Sequence, residues 1–91
     1  MHYEIGNVRT AVIDDKGVHI TEKGQSRFVP FGQIVSVSVK KPGAIAAGHI
    51  FFQTASDGTN PLSSRNTVPF RDKGSYALAL EIQAAVEKVI A

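Results

Sequence analysis

Residues 28–52 read F-V-P-F-G-Q-I-V-S-V-S-V-K-K-P-G-A-I-A-A-G-H-I-F-F, and this stretch restricts the fold more than any other. Val35, Val37 and Val39 alternate with Ser36, Ser38 and Lys40, the period of a strand with one apolar face and one small, polar face. Phe31-Gly32-Gln33-Ile34 before it is a corner, and Lys40-Lys41-Pro42-Gly43 ends it. Ile50-Phe51-Phe52 is apolar at consecutive positions, as a strand covered on both faces requires. A chain with this centre builds antiparallel sheet.

The flanks agree. Arg9 to Ile13 is β-branched and runs into Asp14-Asp15-Lys16-Gly17, a turn whose glycine is free to take a positive φ. Val18 to Glu22 alternates again, so the two segments form a hairpin. Lys23-Gly24-Gln25-Ser26 is the next turn, and Arg27 to Phe31 a strand that Pro30 marks as an edge or an end. Ala55 to Asn66 is a long polar loop, and Thr67-Val68-Pro69-Phe70 a short last strand with its own edge proline. From Lys73 the period becomes 3.6. Leu78, Ile82, Ala85, Val86 and Val89 fall on one stripe, with Glu81, Gln83, Glu87 and Lys88 off it. Asp72 or Ser75 caps the start, and Leu80 projects away from the stripe.

The expected architecture is mainly β (α+β): about six antiparallel strands in two sheets forming a partly open barrel, with a C-terminal helix as its plug. The 91 residues form one domain, 1–91, and the sequence also fits one domain of a longer protein. The chain has no cysteine, so neither a disulfide nor a thiolate metal site supports the core, which fits a reducing compartment. No apolar run is long enough to span a bilayer, and M-H-Y-E-I-G-N-V-R is no signal peptide. The expected location is the cytoplasm, with membrane association under the second reading below.

Net charge is +2, too little to imply nucleic acid, and no aromatic residues interleave with the cations. The distribution is uneven. Residues 1–22 carry −2, residues 23–56 carry +4 with no acid, and residues 57–91 balance. Lys40 and Lys41 at a strand end, with Arg65, Arg71 and Lys73 at the ends of neighbouring segments, form the candidate ligand-binding set, suited to an anionic partner.

The sequence offers little to catalysis. His2, His19 and His49 lack metal-ligand spacing, and His19 and His49 are expected at the surface. No serine stands in G-x-S-x-G, and Asp14-Asp15 are turn formers. Gly43 and Gly48 bracket an apolar loop and do not open a helix, so they cradle no phosphate. Asp57-Gly58-Thr59-Asn60 lacks the remaining ligands of a calcium loop. No catalytic residue, metal or cofactor is expected.

The segments D-D-K-G-V-H-I, V-P-F-G-Q-I-V-S-V, K-K-P-G with G-H-I-F-F, and V-P-F before the last helix together resemble the bacterial pleckstrin-homology-like domains. The nearest resemblance is to a family of unknown function with I-x-x-V, a Pro-Gly loop and G-x-I-x-F, over roughly residues 7–90. The resemblance implies a seven-stranded, two-sheet barrel capped by a C-terminal helix, with His2 to Ile5 as the additional strand. Its members include lipid binders, peptide binders and scaffolds. Phosphoinositide-binding members use a basic cluster in the first hairpin; here the hairpin tip, Asp14-Asp15-Lys16, is acidic and argues against that ligand.

Three readings follow. The first is a non-catalytic module for protein–protein interaction or self-assembly, using an edge strand and Leu80. The second is a peripheral membrane or anionic-ligand binder using Lys40, Lys41, Arg65 and Arg71. The third is a small-ligand or enzymatic pocket beside the apolar 44–48 loop.

Overall fold

The computed structural model describes residues 1–58, 60 and 64–91. Among the described residues, seven strands form two antiparallel meanders. The first sheet orders β1 (Tyr3–Gly6), β2 (Arg9–Ile13), β3 (Gly17–Glu22) and β4 (Gln25–Pro30) consecutively. A 3₁₀ turn over Phe31–Gln33 makes the corner into β5 (Ile34–Lys40), which pairs with β6 (Gly48–Thr54) and then β7 (Thr67–Phe70). The helix α1 (Lys73–Ile90) follows. The sheets are not closed into a barrel: β1 and β2 lie against β7 without joining its ladder. Pro30 and Pro69 stand on edge strands, β4 and β7, where a missing N–H costs least.

Turn chemistry sets the first sheet. Lys23 and Gly24 have φ of 52° and 79°, the two positive values that a two-residue hairpin turn needs to follow strand twist. Asp14 accepts from the Lys16 and Gly17 amides at 2.8 and 3.1 Å, which holds the β2–β3 turn. Gly17 itself does not take the positive φ expected of it. It is required for close approach: a Cβ there would lie 2.4 Å from the Val29 carbonyl oxygen and 2.8 Å from the Pro30 Cα. Because β1 precedes β2, the Asp14 turn belongs to the second hairpin, and the tip of the first is Asn7-Val8.

The core lies between the sheets and under the helix. Ala11, Ile13, Val18, Ile20 and Val29 come from the first sheet, Ile34, Val37, Ile50, Phe52, Val68 and Phe70 from the second. β6 is buried on both faces, as its central place demands, and Phe51 is covered on the face away from that core. β5 departs from simple alternation. A bulge between Ile34 and Ser36 leaves Val35 unpaired and solvent-exposed, and puts Ile34 in the core in its stead.

The Asp72 side chain caps α1 through the Ser75 amide at 2.8 Å. Its buried line is Ala79, Ile82 and Val86, flanked by Leu78 and Ile90, while Val89 faces solvent. The apolar stripe is thus turned by part of a residue step from the expected one. Gln83, off the stripe, reaches the Val37 carbonyl at 2.9 Å and satisfies an acceptor on β5.

Candidate functional site

The ladders bring four of the five expected cations to one end of the second sheet. Lys40 stands across from His49, and Phe70 across from Gly48, so the end of β5, the start of β6 and the end of β7 share one edge. Lys41 follows β5; Arg71 and Lys73 follow β7 and open the helix. With strands about 4.8 Å apart, the outer two are separated by roughly 10 Å. All four side chains are exposed. Arg65 is not with them: it precedes β7 at that strand's other end.

Between these cations the chain presents apolar surface. The loop after Lys41 is held by a Gly43 amide bond to the Ala46 carbonyl at 2.9 Å. Ile45 at its tip is 92% exposed. Gly48 lets the loop return against the sheet, since a Cβ there would lie 2.4 Å from the Lys40 carbonyl oxygen and 2.7 Å from the Pro42 nitrogen. Val8, at the tip of the first hairpin, is 75% exposed. It lines, with Ala47, Pro69, Phe70, Arg71 and Ser75, an open cleft of about 400 Å³.

The acids around this end are few. Asp72 is engaged as the helix cap: the Ser75 hydroxyl at 2.7 Å and its amide hold the carboxyl below the usual range. His49 is only 8% exposed, against the expectation of a surface histidine, because both faces of β6 are covered. Burial, with the nearby Lys40 charge, pushes its imidazole down and favours the neutral form.

A second basic group lies where the core of the first sheet ends. Arg9, Glu22 and Gln25 form one cross-strand row, and Arg27 stands across from Ile20 two rows along, on the same face. With Arg65 they line a cleft of about 210 Å³. Arg9 donates to the Thr67 carbonyl at 2.9 Å and to Glu22 at 3.1 Å, and the Arg9 bond holds the Glu22 carboxyl below its ordinary value. Arg27 donates to the side-chain carbonyl of Asn66, whose amide in turn donates to Asp57 at 2.9 Å. Asp57 also accepts from the Thr54 amide and from the Thr54 and Ser64 hydroxyls. Burial alone would raise the Asp57 carboxyl; these bonds together outweigh it and hold it low.

Sequence reasoning placed Arg9 and Arg27 on strands without joining them to Arg65, and did not single out Val8. Aligning the hairpins would have found the Arg9–Glu22–Gln25 row. Val8 carries a signal only once β1 is recognised and its turn located. Of the other candidates, His19 bonds Asp14 at 2.9 Å and packs at a tilt against Phe28, ring centroids 4.6 Å apart. Thr59, in the turn read over residues 57–60, lies outside the described residues. Among the described residues, no group of three or more His, Asp or Glu is gathered to hold a metal ion, and no helix is long and apolar enough to cross a membrane. Compared with family models, curated proteins and solved structures, the chain matches none.

Proposed function

We propose that this chain is a non-catalytic docking module that binds anionic membrane surfaces through the end of its second sheet. One observation carries the reading: Ile45, 92% exposed, tips the loop that Lys40 and Lys41 lead into, and Ala47 of that loop shares a cleft with exposed Val8 and with Arg71, at the sheet end where Lys73 opens the helix. An apolar loop ringed by cations suits the boundary between acyl chains and anionic headgroups.

Magnitudes favour the combination over charge alone. Four cations at about 1 kcal/mol each give near-millimolar binding. Burying Ile45 and Val8 adds roughly 1.5 kcal/mol apiece, for a total of ~7 kcal/mol and a Kd on the order of 10 μM. That is enough for a monomer. The resemblance to pleckstrin-homology-like domains, which implies seven strands in two sheets and a terminal helix, supports a binding module without choosing the ligand, though the sheets here are not closed into a barrel. Flotation with liposomes tests the reading. Capture on vesicles containing phosphatidylglycerol, lost on pure phosphatidylcholine and weakened by salt, supports it; equal capture on both, or none, rejects it.

A second reading rests on a different observation. Phe28 is exposed on β4, an edge strand with an open ladder, and Leu80 is exposed on α1. These suit self-association or a protein partner. Light scattering across dilution separates the two, because a strict monomer that still floats with liposomes needs no such contact.

A further inference from the structure

We propose that the cleft between Arg9, Arg27 and Arg65 is a binding site for a phosphomonoester dianion. The inference is independent of the membrane reading, which uses other residues. Three guanidinium groups and one carboxylate, Glu22, line the cleft beside Gln25 and Ile20. The excess of two positive charges matches a phosphomonoester, which carries about −1.5 to −2 at neutral pH. The cleft, about 210 Å³ and open to solvent on one side, admits a small head group.

The donors are positioned in advance. Arg9 is fixed by Thr67 and Glu22, and its Nε–H is left over. Arg27 spends one Nη on Asn66 and keeps its remaining donors. Asn66 is itself 3% exposed, and its bond to Asp57 turns its carbonyl toward Arg27. The one nearby acid beyond Glu22, Asp57, is thus occupied behind Asn66. Arg65 is exposed and makes no hydrogen bond or ion pair among the described residues, so its whole fork is available at the open side. Planar forks held in place lose little freedom on meeting phosphate oxygens.

An NMR titration tests this, using inorganic phosphate, glycerol phosphate, and phosphatidylcholine vesicles carrying either phosphatidic acid or phosphatidylglycerol. Saturable shifts at Ile20, Glu22, Gln25 and Arg27 with a Kd below about 1 mM are expected. Arg65→Ala should weaken binding about tenfold or more with a thermal transition little changed, since the side chain makes no hydrogen bond or ion pair among the described residues. Lys40→Glu/Lys41→Glu should leave the shifts with inorganic phosphate and glycerol phosphate unaltered. Shifts from the free anions give a soluble phosphomonoester as the source. Capture by phosphatidic acid over phosphatidylglycerol, sensitive to Arg65→Ala, gives a lipid. No saturation by about 10 mM together with equal capture on both vesicles, or binding unchanged in Arg65→Ala, overturns the proposal.

Discussion

The Arg9 guanidinium donates to the Thr67 carbonyl at 2.9 Å and so ties the second strand of one sheet to the edge of the other. The same side chain holds Glu22 at 3.1 Å and reaches the Ser64 carbonyl. Two sheets that share no ladder are therefore joined by side chains as well as by the core. Arg9→Ala should destabilise the fold by about 1–3 kcal/mol, because a carbonyl and a carboxylate both lose their partner. Arg9→Lys should recover only part of this, since an ammonium cannot serve both directions as a fork does. Urea unfolding, with the slope unchanged, measures both.

Gly48 is where the apolar loop returns to the sheet, and the two atoms that would crowd a Cβ there most closely are backbone, with the Phe70 ring next at 2.9 Å. Gly48→Ala should cost about 1–3 kcal/mol, as overpacking against atoms that cannot rotate away does. Gly32, by contrast, has nothing within 4 Å of an added Cβ. Gly32→Ala should be neutral or stabilising by up to about 1 kcal/mol through the unfolded chain. Thermal denaturation of the two variants side by side checks the contrast.

His49 gives stability a pH dependence. Its folded pKa is pushed below the ordinary value by burial and by Lys40. The unfolded chain then binds more protons than the folded one as pH falls below about 6.5, so stability is full above that pH and declines beneath it. Asp57, also held low, contributes a further loss at lower pH, below about 4. Unfolding midpoints from pH 8 to pH 5 should fall for the parent chain and fall less for His49→Gln, which removes the buried imidazole.

The strand order and the closing helix were legible because turns and periods are local. Asp14 through Gly17, Lys23-Gly24, the two edge prolines and the change of period at Lys73 each declare themselves within a few residues. What failed depended on neighbours distant in sequence. The bulge that expels Val35 follows from the pairing of Ile34 with Thr54 and of Ser36 with Gln53. The burial of His49 follows from what covers the outer face of β6, and the need for Gly17 from the approach of Val29. The candidate site divided in the same way. Lys40, Lys41, Arg71 and Lys73 sit at strand ends that a simple meander brings together. Arg65 stands with Arg9 and Arg27 because one sheet meets the other, which no local pattern encodes.

The phase of the helix is testable in the same terms. Ile82 is fully buried, and Val89, on the stripe that periodicity suggests, is exposed. Ile82→Ala should cost about 2–5 kcal/mol, and Val89→Ala should stay within about 0.5 kcal/mol of the parent. Comparable losses at both positions would mean that the helix sits in a different rotation.

Docking through the loop tip is the central claim, and the chain contains no tryptophan, so one can be introduced as the sole reporter. Ile45→Trp fluorescence should shift to the blue on adding vesicles with phosphatidylglycerol, stay unmoved with phosphatidylcholine alone, and lose its response with Lys40→Glu/Lys41→Glu. Emission that remains that of a hydrated indole, on vesicles to which the protein is shown to be bound, would contradict insertion of this loop.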